Sequence, residues 1–279
     1  MSDRYLSGRT AWVTGGASGM GRASALRLAG AGANVAIGSL VRSQRAVAVK
    51  DQNVHTPPDE SLEATKAAIE AHGVECVSMP LDVCSDSSVA DSFDTIVGRF
   101  GKIDILINAA GTSARKLMVD HPDEIWHRLI DTNLSGPFRT IRHCFPGMVE
   151  RRFGRIVNFA STAANVGYVR HSAYCASKSG LLGLTRCVAL EGAAHGVSCN
   201  AINPGWVATD SNYSACRQEI AIAGLDISVE EYRAQVAESL PQKRFLDPDE
   251  VAALVAFLCR DEAHSINAEA INIAMGSLW

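Results

Sequence analysis

The chain has 279 residues, 47% of them hydrophobic and 20% charged, with a formal net charge of −4. This composition supplies a large buried core and excludes a disordered, solvating polymer. Lys and Arg gather into no basic stripe and no apolar run approaches the ~20 residues of a membrane span, so neither nucleic acid nor a bilayer is the expected partner; a small molecule is.

In chain order, short apolar runs at residues 10–14, 34–39, 75–79, 103–108, 155–160, 197–203 and 270–274 read as strands, with longer helical patterns between them. Strand–helix alternation implies right-handed crossovers and a parallel sheet. The fold expected is α/β: a doubly wound, Rossmann-type, seven-stranded parallel sheet with helices on both faces, in one domain over residues 1–279. Two stretches depart from the alternation. Residues 41–60, polar and carrying Pro57-Pro58, read as a surface insertion before a helix starting near Ser61. Residues 210–240 are mostly helical in pattern. The next helix is well marked, because Asp247 can cap it, Pro248 suits its first position and Glu250 completes a capping box.

The start, Met1-Ser2-Asp3-Arg4-Tyr5, has no signal-like apolar region, and the expected location is cytoplasmic. Cys76, Cys84, Cys144, Cys175, Cys187, Cys199, Cys216 and Cys259 form no CxxC pair, and the histidines are equally dispersed. Reduced, mostly buried thiols and no metal are expected.

Two segments carry chemistry. The run Thr14-Gly15-Gly16-Ala17-Ser18-Gly19-Met20-Gly21 follows the first strand and opens the first helix. Glycines there let the backbone approach a pyrophosphate, and the helix N-terminus offers free N–H groups and partial positive charge. The second strand ends at Ser39, which brings no carboxylate against a 2′-phosphate, and Arg42 and Arg45 stand just beyond. This favours NADP(H) over NAD(H). Downstream, Tyr174 and Lys178 are four residues apart and project from one helix face. A tyrosine titrating near 10 needs a shift of about 3 units to exchange protons at neutral pH, and a nearby ammonium lowers it.

These segments, together with Asp82-Val83, Asn108-Ala109-Ala110-Gly111, Asn133, Ser161 and Pro204-Gly205…Thr209, resemble the short-chain dehydrogenase/reductase family in its short single-domain branch. The resemblance runs nearly end to end, outside residues 41–60 and 210–240. It implies a ketoreductase- or hydroxybutyrate-dehydrogenase-like oxidoreductase interconverting a ketone, 3-oxoacyl-like or cyclic or aromatic, and a secondary alcohol, in which Tyr174 is the acid/base and Ser161 hydrogen-bonds the reacting oxygen. Lys178 would hold the nicotinamide ribose and Asn133 anchor a water behind it. It assigns cofactor contacts to Thr14, Gly15, Ser18, Gly19, Met20, Gly21, Ser39, Arg42, Asp82, Val83, Asn108, Ala109, Gly111, Tyr174, Lys178, Pro204, Gly205, Val207 and Thr209. Residues 205–240 become a substrate lid, and Ser161, Thr162, Ala163, Tyr168 and Trp206 the substrate candidates. It also implies a homotetramer with residues 122–150 and 173–195 at interfaces. Met275 departs from the family pattern, replacing the first of a Gly-Gly pair.

Two other readings use the same motifs. A nucleotide-sugar epimerase would share the Tyr/Lys pair, but such relatives add a larger substrate domain after the sixth strand. A non-catalytic dinucleotide sensor or scaffold would typically lose the tyrosine or the lysine, and this chain keeps both.

Overall fold

The computed structural model describes residues 4–44, 52–53 and 56–278; Arg45 lies outside the described residues. From the N-terminus the elements are β1 (Thr10–Thr14), α1 (Gly19–Gly30), β2 (Asn34–Ser39), β3 (Gln52–Asn53), α2 (Glu60–Glu70), β4 (Cys76–Pro80), α3 (Asp86–Phe100), β5 (Ile105–Asn108) and β6 (Ser113–Ala114). They continue with α4 (Asp123–Ile130), α5 (Gly136–Glu150), β7 (Gly154–Phe159), α6 (Ser172–Ala193), β8 (Val197–Pro204), α7 (Asp210–Ala223), α8 (Val229–Ser239), α9 (Pro248–Leu258) and β9 (Ala270–Ile273).

Seven strands form one parallel sheet in the order β4-β2-β1-β5-β7-β8-β9. Every residue of β1, β5, β7 and β8 is buried, as expected for strands covered on both faces. One core layer packs Leu28 of α1 and Val251 and Val255 of α9 against Val13, Val35 and Ile107. The opposite layer packs Val89 and Ile96 of α3 and Ile141 and Met148 of α5 against Trp12, Leu106 and Ile156. The strand order reverses beside β1, so the crevice at the carboxyl ends of β1 and β5 is the topological switch point where such sheets bind ligands.

The expected start of α9 forms as read. Asp247 accepts from Asp249 N at 2.8 Å, and Glu250 accepts from Asp247 N at 2.8 Å. Helices α4 and α5 are continuous through a π-helical turn at Asp131–Ser135 that contains Asn133. Such turns add one residue to the helix and redirect side chains, often at functional sites.

The stretch at 41–60 is more than a surface excursion. β3 pairs antiparallel with β6, Asn53 opposite Ser113 and Gln52 opposite Ala114. Thr56 and Pro57 are buried against the sheet end. The pattern missed this pairing because two residues per strand carry no periodicity. Met275 takes a left-handed φ of 55°, followed by Gly276 at 84°, so the turn keeps the conformation that glycine usually supplies.

Candidate active site

The turn from β1 to α1 is shaped by steric exclusion. Gly15 has φ of 71°, and a Cβ there would lie 2.8 Å from Ala110 N. A Cβ on Gly21 would lie 2.3 Å from Gly15 O, so the helix can approach the turn only through glycine. Ser18 precedes α1 without a side-chain cap, and the first turn of α1 carries no acidic residue. Its leading N–H groups therefore offer a positive helix end to an anion.

That helix end opens onto a cleft of about 250 Å³ at the carboxyl ends of the strands. Of the residues expected to hold a cofactor, Gly15, Ser18, Gly19, Met20, Gly21, Ser39, Asp82, Val83, Ala109, Gly111, Tyr174, Lys178 and Thr209 line it. The bare helix end, the glycine cradle and the elongated run of residues from Ser39 to Lys178 fit a dinucleotide.

Other expected contacts stand back from the cleft. Thr14 Oγ1 accepts from Ala110 N at 3.1 Å, fixing the adjoining loop. The Asn108 side chain lies inside the fold, donating to Asn158 Oδ1 at 2.9 Å and accepting from Thr140 Oγ1 at 2.7 Å. Pro204 ends β8, Gly205 N donates to Ile273 O at 3.0 Å, and Val207 is buried in a bridge to Leu246. Arg42 is exposed outside the cleft lining, near the Asp59 carboxylate. Leu40, Thr56, Pro57, Thr112, Arg128 and Asp210 line the cleft without having been singled out. Only the chain's return past the cleft brings them there, and no sequence motif marks it.

The chemical end of the cleft is assembled from three elements. Tyr174 and Lys178 lie on the first turns of α6, with Lys178 Nζ 5.8 Å from the Tyr174 ring centre. Lys178 is buried and donates to Phe159 O at 2.7 Å. Ser161, just beyond β7, faces the Tyr174 phenol closely enough to pull its pKa downward, and its Oγ accepts from Ala163 N at 3.1 Å. Asn133 is fully buried behind the wall: its Nδ2 donates to Thr112 O at 2.9 Å and Ser177 Oγ at 3.1 Å, and its Oδ1 accepts from Thr112 N at 2.9 Å. Ser177 Oγ in turn donates to Tyr174 O at 2.8 Å, so the π-turn is tied to the tyrosine's own backbone.

The electrostatics correct one expectation. Lys178 was expected to pull the Tyr174 pKa down. Burial instead raises the phenol above its ordinary value, opposed chiefly by the Ser161 hydroxyl, and burial lowers Lys178 to about 8. Desolvation disfavours the charged form of each group, and it is the largest cause of both shifts.

The family described as Enoyl-(Acyl carrier protein) reductase matches residues 15–277. The chain belongs to the short-chain dehydrogenase/reductase family. Its similar relatives include a Streptomyces virginiae protein assigned as a monensin polyketide synthase ketoacyl reductase, 36% identical, with 96% of each chain covered. The 3-oxoacyl-(acyl-carrier-protein) reductase FabG of Staphylococcus epidermidis is 31% identical over 96% of this chain and 98% of its own. Among solved structures, actinorhodin polyketide ketoreductase with NADPH superimposes with a TM-score of 0.86 at 33% identity, covering 96% of both chains. Levodione reductase gives 0.85 at 29% identity, covering 98% of both.

As a short-chain dehydrogenase/reductase, the chain is an oxidoreductase; the residues expected to meet a substrate are placed as follows. Thr162 and Ala163 are buried in the turn after Ser161. Tyr168 is 47% exposed, its ring edge-on to His171, which stands edge-on to Tyr174. Trp206 packs edge-on to Phe245, with ring centres 6.0 Å apart, and Phe245 lies under the Arg233 guanidinium of α8. The ring contacts of Trp206 are packing contacts with Phe245. Among the described residues no His/Cys/Asp/Glu group is arranged to hold a metal, and no helix is long and apolar enough to cross a membrane.

Proposed function

We propose that the protein interconverts a ketone and a secondary alcohol, with Tyr174 as acid/base, Ser161 and Lys178 as its partners and NADP(H) as the preferred cofactor. The observation that carries this reading is the meeting of the Tyr174 phenol, the Ser161 hydroxyl and the Lys178 ammonium at one end of the cleft that begins at the N-terminus of α1. When bound, a nicotinamide dinucleotide supplies or takes the hydride.

The chain's own residues do the rest. Burial keeps Tyr174 in its neutral phenol form, which is the proton donor that ketone reduction needs. As the carbonyl carbon becomes tetrahedral its oxygen takes the phenolic proton, and Ser161 hydrogen-bonds the same oxygen and fixes its position. Lys178, still mostly an ammonium at pH 7 with its pKa near 8, stabilises the phenolate left behind. Asn133 and Ser177 hold the backbone that carries Tyr174.

The NADP(H) preference is supported by Ser39, whose hydroxyl accepts from Ala17 N at 3.3 Å where an NAD-specific site carries a carboxylate. A homotetramer is supported by Phe138 on α5 and Leu190 on α6, which are 47% and 74% exposed on the helices assigned to interfaces. Static light scattering showing a stable monomer would remove that assignment.

The test follows absorbance of the reduced nicotinamide against a panel of ketones and alcohols. Tyr174→Phe is expected to lower turnover at least ~100-fold while leaving dinucleotide affinity unchanged. A variant turning over at the native rate would exclude Tyr174 from the chemistry.

A further inference from the structure

Near Tyr174, outside the lining of the cleft itself, lies a buried charge that the proposed chemistry does not use. Arg115 follows β6 directly, and β6 is packed against the start of α6: Ala114 and Ala173 share one apolar cluster with Tyr174. The neighbouring Lys116 N donates to Arg170 O at 2.9 Å, fixing this loop to the one that precedes α6. The Arg115 side chain is only 7% exposed. Its positive charge is felt by Tyr174, by His171 and by Cys216 and Tyr232 of the lid helices.

Two of its nitrogens are held by α7. Nε pairs with the Glu219 carboxylate, and Nη1 donates to Gln218 Oε1 at 3.3 Å. Among the described residues Nη2 has no hydrogen-bond partner and is not sealed from water, so it retains contact with solvent. The pair is unequal in its access to water: Glu219 on α7 is 24% exposed, Arg115 only 7%. A guanidinium fork is the group best matched to a planar carboxylate, and removing its partner without replacement leaves an uncompensated buried charge.

We propose that Arg115 receives an acid group of the substrate and that Glu219 occupies its place in the free enzyme. The substrate class is then an oxo acid, or the matching hydroxy acid, whose carboxylate exchanges with that of Glu219. Glu219 turns out to water, and the guanidinium orients the ketone toward Tyr174. Arg115 stays paired throughout, which avoids the cost of a bare buried cation. This inference rests on the oxidoreductase reading above.

The experiment compares 2-, 3- and 4-oxo acids with their methyl esters on the native enzyme and on two variants, with NADPH as the reductant. Native kcat/KM is expected to favour the acid of at least one pair by about 10-fold or more. Arg115→Met should lower kcat/KM for that acid about 100-fold while leaving the ester within about 3-fold, because the ester never uses the cation. Glu219→Gln should act in the opposite direction, lowering KM for the acid and leaving the ester unchanged, because the competing charge is gone. Equal losses on acid and ester in Arg115→Met would overturn the proposal and mark the pair as a structural latch on the lid. So would a rise in KM for the acid in Glu219→Gln, or a native preference for every ester.

Calorimetric titration of the same acids into the NADPH complex separates this idea from the oxidoreductase reading. If no compound turns over, the oxidoreductase reading is at fault; acid binding lost in Arg115→Met still upholds the anion site, and absence of acid binding to the native complex overturns it.

Discussion

Replacing Asn133 with alanine should destabilise the protein as well as slow it. The side chain is fully buried and makes three hydrogen bonds, two of them to the backbone N–H and C=O of buried Thr112. Alanine leaves both backbone groups without a partner, each at a cost of about 1–3 kcal/mol. A total near 3 kcal/mol corresponds to a melting temperature about 6–12 °C lower for a domain of this size. Turnover should fall too, because the Asn133–Ser177 link to the Tyr174 backbone is cut. Asn133→Asp separates donor from acceptor roles. It keeps an oxygen for Thr112 N but sets a carboxylate against Thr112 O, so it should be no more stable than alanine. Thermal melts followed by circular dichroism read both variants. A melt within about 2 °C of native for Asn133→Ala, or a clear recovery in Asn133→Asp, would refute the clamp.

Lys178→Met should abolish turnover yet stabilise the dinucleotide-free protein at neutral pH by up to about 3 kcal/mol, less about 1 kcal/mol for the lost bond to Phe159 O. Burial lowers the lysine from 10.5 to about 8, so between those values the unfolded chain binds more protons than the folded one. Native stability therefore rises with pH across that window, and the variant's advantage, largest below pH 8, should shrink toward pH 10.5; urea melts at pH 7 and pH 10 check this. Ser39→Asp should weaken NADPH binding at least ~10-fold and leave NADH nearly unchanged, since a carboxylate there opposes a 2′-phosphate; equal affinities by fluorescence titration would contradict the cofactor assignment. Gly15→Ala, with φ of 71° and its Cβ 2.8 Å from Ala110 N, should lose dinucleotide binding and about 1–2 kcal/mol of stability, whereas unchanged affinity would show that the turn is not the cradle.

Much of the molecule is legible in the residues alone. Strand–helix alternation states the sheet and its handedness, because apolar runs of five or six residues between amphipathic segments bury only as parallel strands under helices. The glycine turn and the Tyr174/Lys178 spacing are local: residues within one turn or one helix face are neighbours whatever the rest of the chain does. Contacts between distant segments are not encoded in any short window. The pairing of β3 with β6, the Asn133–Thr112–Ser177 clamp and the Arg115–Glu219 pair join residues 21 to 104 positions apart. The direction of the Tyr174 shift belongs with them. Helix spacing places an ammonium near the phenol, but only the packing of α6 against the sheet decides how much water both lose, and desolvation is the larger effect.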